Sequence, residues 1–496
     1  MKIITNIKIK NIKEKIFVLA SLSIYMVITF ILMMNHENWI DEAQSFMISK
    51  SLSFIDIFKQ LKYEGHPFVY YFVLHIITSI GFDYKIVNVI SWIVMAVVAF
   101  LILTKSPFNK LTKVLILLTV PFIYQYAVFG RSYCLVTLFV ILLACLYNKK
   151  HEHPYLYAVL ISLLMNTHII MLGFTLMLAI TFYGYELIFN RKKLSSLQKK
   201  KYIISLVIIG ASILLIVLQF YSTLSLNTYT SHDGRPTDFN SKLNNVINIV
   251  LYFYTYVICN NFEIALLMTS CIIISIGLIM YFRHIKHTLI FLGAIGYQLL
   301  FFFLIGDYKD YVAMTGFVIY IFYLWIVFAN NATNSDQNNK IFKKAISIIF
   351  ILPVLFGNYN RVIDDVYYEY WGAETFATFI ECGLSDESTF LCVDDIKGGG
   401  IIPYLDDNYR FYSFAKEDYF KFISWDENRD INITNEEYSQ RINNYINENK
   451  ELNNLYIILH EDIKEYEYMK KHKWQYIFSN TESYSLDKYY LYKFIE

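Results

Sequence analysis

The sequence predicts an α-helical polytopic membrane protein of about eleven transmembrane helices plus interfacial helices, carrying a small C-terminal extracytoplasmic α/β domain. Three observations predict it. Of the 496 residues, 56% are hydrophobic, above the roughly 45–50% of globular chains, and the excess sits in long uncharged runs before residue 358. The near-zero net charge hides a division: residues 1–357 carry 29 Lys/Arg and 15 Asp/Glu, whereas residues 358–496 carry 14 and 27. The basic residues of the first part cluster in alternate connections between apolar runs, the bias of cytoplasmic loops. A transmembrane domain over 1–357 and a soluble domain over 358–496 are therefore expected, and the acidic tail argues against a nucleic-acid partner.

Residues 1–15 hold five lysines and lead into an apolar run over 16–34. No small-residue cleavage site follows, so the run reads as a signal anchor. Further spans are expected near 85–104, 114–129, 132–148, 154–168, 170–189, 202–222, 262–282, 288–305, 311–329 and 342–357. The apolar stretches 67–82 and 246–258 are shorter than the roughly 17 residues of a spanning helix and are not counted. Eleven crossings place 21 Lys/Arg in the inner segments and about 8 in the outer ones before the tail. Counting 67–82 as a crossing would move Lys105, Lys110 and Lys113 outside, against the positive-inside bias. The N-terminus is expected in the cytoplasm and the tail outside it.

The loop after the first span is the most informative segment. It reads Asn38-Trp-Ile-Asp-Glu-Ala-Gln44 and, further on, Glu64-Gly-His-Pro-Phe-Val-Tyr-Tyr71. Ionisable groups at a bilayer edge are costly unless solvated or used. Asp41, Glu42, Glu64, His66, Arg131, His168 and Lys309 come from five separated stretches, yet this topology puts all of them in one leaflet. Apolar residues recur at helical spacing over 39–47 and 54–61, and Ser53-x-x-Asp56 marks a helix start. Both segments read as amphipathic helices lying in the interface with apolar faces toward lipid. Asp41 and Glu42 fall in the first turn of the first helix, where the dipole favours anions. Gly65 and Pro67 set a sharp turn before a third apolar helix bearing Tyr70 and Tyr71. Glu37 reads as a solvated cap charge.

These motifs carry a resemblance. Trp39-Ile-Asp-Glu-Ala43, a gap, then Gly65-His-Pro67 and a Tyr-bearing helix resemble the GT-C superfamily of membrane glycosyltransferases, in particular the protein O-mannosyltransferase and aminoarabinose transferase group. Gly130-Arg-Ser-Tyr133 is similar to an Ala-Arg-x-Tyr motif of the family, and Tyr308-Lys-Asp-Tyr311 to its Arg-x-Arg-Tyr pattern. The chain departs at Phe68, where many members have a second proline, at Gly65, where aminoarabinose transferases have lysine, and at Lys309-Asp310, where two arginines are common. The resemblance implies a polyprenyl-phosphate-linked sugar as donor, an envelope acceptor, and a membrane-lipid setting on the outer face of a bacterial plasma membrane. Abundant Asn, Ile, Lys and Tyr fit an AT-rich bacterial genome.

Such a reaction needs a base for the acceptor hydroxyl and cationic donors for the departing phosphate. By the resemblance and its position, Asp41 is expected to be the base, with Glu64 positioning acceptor or sugar and Glu42 fixing the turn. Arg131 is expected on the phosphate because its planar fork matches phosphate oxygens, with Lys309 as a second cation. His66 and His168 are expected to bind phosphate or to be interfacial hydrogen-bonding groups. A divalent cation held by these histidines with Asp41 and Glu64 is left open, since no spacing demands a metal. Tyr133 and Tyr311 are expected to line the sugar pocket. A transporter or flippase of lipid-linked glycans, or an envelope-polysaccharide polymerase, would also have many spans and outer loops. Transporters, however, place charges mid-span and show repeats, and neither is seen.

In the tail, strands are expected over 389–393, 409–414, 455–459, 474–478 and 489–494, with helices over 367–380 and 434–448. Lys397-Gly-Gly-Gly400 reads as a flexible loop, and Asp394-Asp395 and Asp406-Asp407 as solvated turns. Cys382 and Cys392 are the two tail cysteines, and their pairing is not favoured.

Overall fold

The computed structural model describes residues 12–221, 238–249, 258–259, 261–281, 285–305, 309–330, 346–347, 349–430, 432–449, 454–483 and 488–495. Among them seven helices are long and apolar enough to cross a membrane: Ile12–Asn35, Ile86–Lys105, Ile169–Phe189, Ser196–Phe220, Phe262–Met280, Ile285–Ile305 and Tyr311–Ala329. Ile12–Asn35 exposes Ile16, Leu19, Ile24, Val27 and Ile31, an apolar face with no protein over it. Tyr311–Ala329 instead lies almost wholly inside the bundle.

The expectation of eleven crossings differs from this count at four places. Pro121 has no N–H to continue a ladder, so the 114–129 run becomes the nine-residue helix Lys110–Leu118 and a π turn over Pro121–Gln125. The 132–148 run gives the helix Tyr133–Leu146, of 14 residues. The 154–168 run gives Pro154–Met165, of 12 residues, which ends where Asn166 and Thr167 turn their side chains back onto Ser162 O and Leu163 O. Of 342–357, residues 342–345 and 348 lie outside the described residues. Irregular backbone is tolerated in apolar surroundings where protein encloses it. Val136, Leu143, Tyr157, Ala158 and Leu164 are accordingly all fully buried. The uncounted stretch 67–82 forms the ten-residue helix Val69–Thr78. Most of 246–258 lies outside the described residues.

The first loop folds as expected locally but not in its surroundings. Ser53 Oγ accepts from Asp56 N to cap the Phe54–Glu64 helix, and Gly65, at φ 68°, ends it in the left-handed conformation that glycine tolerates best. The Ile40–Ser51 helix does not lie against lipid. Residues 42–49 are all buried in protein, because Val69–Thr78 covers one side and the C-terminal domain another.

That domain is a six-stranded sheet, ordered β3-β2-β1-β4-β6-β5, from β1 Thr389–Cys392, β2 Arg410–Ser413, β3 Asp418–Tyr419, β4 Leu455–Leu459, β5 Trp474–Asn480 and β6 Tyr489–Phe494. β2, β1 and β4 are parallel, and β3, β6 and β5 add antiparallel edges. Side chains alternate between faces with period two. Phe390, Cys392, Phe411, Tyr456 and Ile458 join the apolar cluster that runs down into the helical bundle. Leu391, Val393, Leu455, Ile457 and Leu459 form a second core with Ile442, Tyr445 and Ile446 of the Asn435–Glu448 helix.

Three tail expectations are corrected. Lys397-Gly-Gly-Gly400 is no flexible loop but part of the buried helix Asp395–Ile401. A Cβ on Gly398 would come within 2.6 Å of Cys392 Sγ, and one on Gly400 within 2.8 Å of Trp371 Nε1, so the glycines serve close packing. Asp395 is not solvated: it is buried, accepts from Ser413 Oγ at 2.7 Å and from Arg429 Nη1 and Nη2 at 2.5 Å. The helix expected over 367–380 is Ala373–Gly383, preceded by Gly372 at φ 83° and by a separate helix Tyr359–Tyr367.

Candidate active site

The Ile40–Ser51 helix opens at Trp39, whose N–H is received by Glu42 Oε2 at 3.1 Å. This is the side-chain-to-backbone half of a capping box. Neighbouring residues on a helix point about 100° apart, so Asp41 and Glu42 face different surroundings. Glu42 is fully buried. Its Oε1 accepts from Asn88 Nδ2 at 2.9 Å and Gly130 N at 2.5 Å, and its Oε2 also meets His36 Nε2 at 3.2 Å. This carboxylate ties the first loop to the Gly130 turn.

Asp41 points the other way. Its side chain is 34% exposed and its Oδ2 lies 3.2 Å from Arg131 Nη2. Arg131 Nη1 donates to the Asp41 carbonyl at 2.7 Å, so one guanidinium grips both the side chain and the main chain of the same residue. Arg131 Nη2 also meets His66 Nε2 at 3.2 Å. The His66 ring lies 5.4 Å from that of His168, and His168 Nε2 meets Tyr133 OH at 3.2 Å. The Tyr133 ring stands 5.5 Å from Tyr311, which packs edge-on to Trp39 at 6.0 Å. Asp41, His66, Arg131, Tyr133, His168 and Tyr311 are thus joined in one chain of contacts.

Electrostatics follow from the geometry. Burial would lower the proton affinity of Arg131, and Asp41 together with the Tyr133, Tyr71 and Tyr311 hydroxyls more than reverses this. Burial, then the Arg131 charge, pushes both imidazoles down, His168 to about 3 and His66 well below the usual range. Both rings are therefore neutral, and they add hydrogen-bonding atoms without adding charge. Glu64 accepts from Gln44 Nε2 at 3.0 Å and Gln60 Nε2 at 3.3 Å. Burial lifts Glu64 to about 7 against those two amides, with Asp41 and Arg131 close enough to act on it. Lys309 is exposed, and its carbonyl receives Val312 N and Ala313 N at the start of the Asp310–Asn330 helix. Among the described residues no three His, Cys, Asp or Glu side chains gather as a metal-ligand set.

Several supporting residues escape a reading of the sequence. Glu37 is 5% exposed rather than solvated, and its carboxylate accepts from Trp371 N and Gly372 N at 2.7 Å and Glu374 N at 2.8 Å. His36 sits between Glu42 and Asp365. Gln44 bridges Glu64 and Ile423. Each has a partner more than 300 residues away along the chain, so no local pattern marks that contact; the only signal is the run of polar residues His36, Glu37 and Asn38 directly after an apolar span. No protein-family model and no curated protein matches this chain.

Proposed function

We propose that the chain is an integral-membrane glycosyltransferase that takes a sugar from a polyprenyl-phosphate donor and places it on an envelope glycan, lipid or protein by inverting displacement. The observation that carries this reading is the Asp41–Arg131 pair, a part-exposed carboxylate against a buried guanidinium. A proton acceptor and a phosphate receptor side by side are the two groups this reaction requires. The first-loop resemblance to the GT-C superfamily points the same way.

In the step, the acceptor oxygen bonds to the anomeric carbon and its proton passes to Asp41. The bond from that carbon to the phosphate oxygen breaks, and polyprenyl phosphate leaves with the electron pair. Arg131 offers the leaving phosphate its N–H fork. A phosphate meeting Nη2 exchanges for Asp41 Oδ2 and releases that oxygen toward the acceptor. His66 and His168 supply neutral hydrogen-bonding atoms, Tyr133 and Tyr311 flank the sugar, Glu64 positions the acceptor, and Lys309 adds a second cation at the rim. The reading takes eleven crossings, with the short enclosed helices as part of the count. It places the N-terminus in the cytoplasm, the site and the 358–496 domain on the outer face, and the chain in a bacterial plasma membrane.

The test incubates purified protein with a panel of polyprenyl-phosphate sugars and follows release of polyprenyl phosphate. Turnover of at least one donor is expected. If no donor is consumed while lipid-linked sugars cross liposome bilayers, a transport function replaces this one.

A further inference from the structure

Gln44 lies one helical turn beyond Asp41 and is 8% exposed. Its amide is paired at both ends with one backbone residue of the C-terminal domain: Nε2 donates to Ile423 O at 2.6 Å, and Oε1 accepts from Ile423 N at 2.9 Å. A side-chain amide that faces both a carbonyl and an N–H has its orientation fixed by them. The remaining N–H of Nε2 goes to Glu64 Oε1 at 3.0 Å, and Gln60 Nε2 reaches the same oxygen at 3.3 Å. Gln60 and Phe422 line a surface cleft on the outer side of this contact. A carboxyl oxygen that receives two amide N–H groups is held as the acceptor oxygen. A proton taken up by Glu64 then resides on Oε2.

We infer that Gln44 is a positioning residue through which the seating of the C-terminal domain at Ile423 fixes the orientation of Glu64 and the pH at which it holds a proton; its bearing on turnover rests on the glycosyltransferase reading above. The C-terminal domain is in this view a structural part of the reaction centre rather than an appendage. Each element of the linkage is buried or half-buried, and the three hydrogen bonds of Gln44 use every donor and one acceptor position of its amide.

Gln44→Met keeps the length of the side chain and removes all three bonds, whereas Gln60→Met removes only the outer donor. In the full-length protein in detergent, pH-difference infrared spectroscopy reads the carboxylic-acid band that Glu64→Gln deletes. Hydrogen exchange reads the Ile423 amide. Losing one amide donor to a carboxylate moves its titration up by about one pH unit. Gln44→Met is expected to shift the Glu64 band by that amount, to open Ile423 N–H to exchange, and to move the acidic limb of the turnover profile equally. Gln60→Met is expected to shift the band less and leave Ile423 protected. If Gln44→Met does not accumulate, Gln44→Leu, which also lacks all three hydrogen bonds and adds no titrating group, carries the same readouts. A folded variant with wild-type band and wild-type Ile423 exchange overturns the inference, as does a shifted band with an unmoved profile. If band and exchange move while wild type consumes no sugar donor, the linkage stands and the glycosyltransferase reading falls.

Discussion

His36 Nδ1 lies 2.7 Å from Asp365 Oδ2, and the opposite nitrogen of the same ring lies 3.2 Å from Glu42 Oε2. One imidazole thus joins the residue leaving the first span to the chain entering the C-terminal domain, and both to the carboxylate that holds the Gly130 turn. Tyr124 OH donates to Asp365 Oδ2 at 2.7 Å, and Lys85 Nζ donates to the His36 carbonyl. All three charged side chains of the chain Glu42–His36–Asp365 are buried. Such an arrangement holds only while the central group is positive.

The pH dependence has a definite sign. Burial by itself would lower the affinity of His36 for its proton, but Asp365 and Glu42 outweigh it and raise the ring from 6.5 to about 9. The folded state therefore binds the proton more tightly than the unfolded state. Its stabilising contribution is complete below pH 6.5 and is lost as pH rises through about 9. The difference converts to about 3 kcal/mol. Thermal unfolding in detergent from about pH 6 to about pH 10 should show a fall that His36→Gln flattens. A wild-type curve no steeper than that of the variant removes the charge assignment.

Asp41 and Arg131 separate by readout. Asp41→Asn keeps the shape of the side chain and removes the proposed base, so turnover should fall by about 10²–10⁴ while donor binding persists. Arg131→Lys keeps a charge but loses the fork that holds Asp41 Oδ2, Asp41 O and His66 Nε2. It should weaken donor binding as well as turnover, since lysine does not replace a bidentate arginine. Equal effects of the two variants on donor affinity would contradict this division of roles.

Glu42 behaves differently from its neighbour. Four donors meet its carboxylate, and Glu42→Gln turns an N–H group toward at least one of them. Breaking a buried ion pair from one side costs about 3–5 kcal/mol. The expected result is a large drop in melting temperature, which Asp41→Asn does not share. Gly130→Ala should act on the same joint. An added Cβ would lie 2.3 Å from Val87 Cγ2 and 3.0 Å from Glu42 Oε1, so the turn that presents Arg131 must shift. Melting curves of the three variants, read side by side, check both statements.

Local chemistry was legible in the sequence wherever it is set by neighbours in the chain. Ser53 and Asp56 announce their helix, Gly65 its end, and alternation places β4 and β6 at their observed residues. The short strand β3 was not legible, because two exposed residues, Asp418 and Tyr419, carry no alternation. The helical form of Lys397-Gly-Gly-Gly400 was hidden for a different reason. Glycine disfavours helix by propensity, and only the close approach of Cys392, Ile423 and Trp371 makes it the residue that fits. Helix lengths differ from the expected spans where apolar runs are broken at Pro121 and at Asn166–Thr167. Buried placement of Glu37 and His36 depends on partners far along the chain, so Glu37 reads locally as a solvated cap charge.

Glu37 offers the sharpest test of how the two parts of the chain are joined. Its Oε2 accepts from Trp371 N and Gly372 N, and its Oε1 from Glu374 N. These donors lie at the start of the Ala373–Gly383 helix, where backbone N–H groups lack intrahelical partners and the dipole favours an anion. Burial pushes the Glu37 carboxyl up while the three N–H groups pull it down. Glu37→Gln turns an amide N–H toward one or more of the donors, at about 1–3 kcal/mol for each buried group left unpaired. Hydrogen exchange at residues 371–374 should accelerate in this variant, with a lower melting temperature and with β4 and β6 still protected. Unchanged exchange there would mean that Phe376, Ala377 and Ile380, packed in the shared apolar cluster, hold the helix without the carboxylate. The first loop would then be seated by Gln44 and His36 instead.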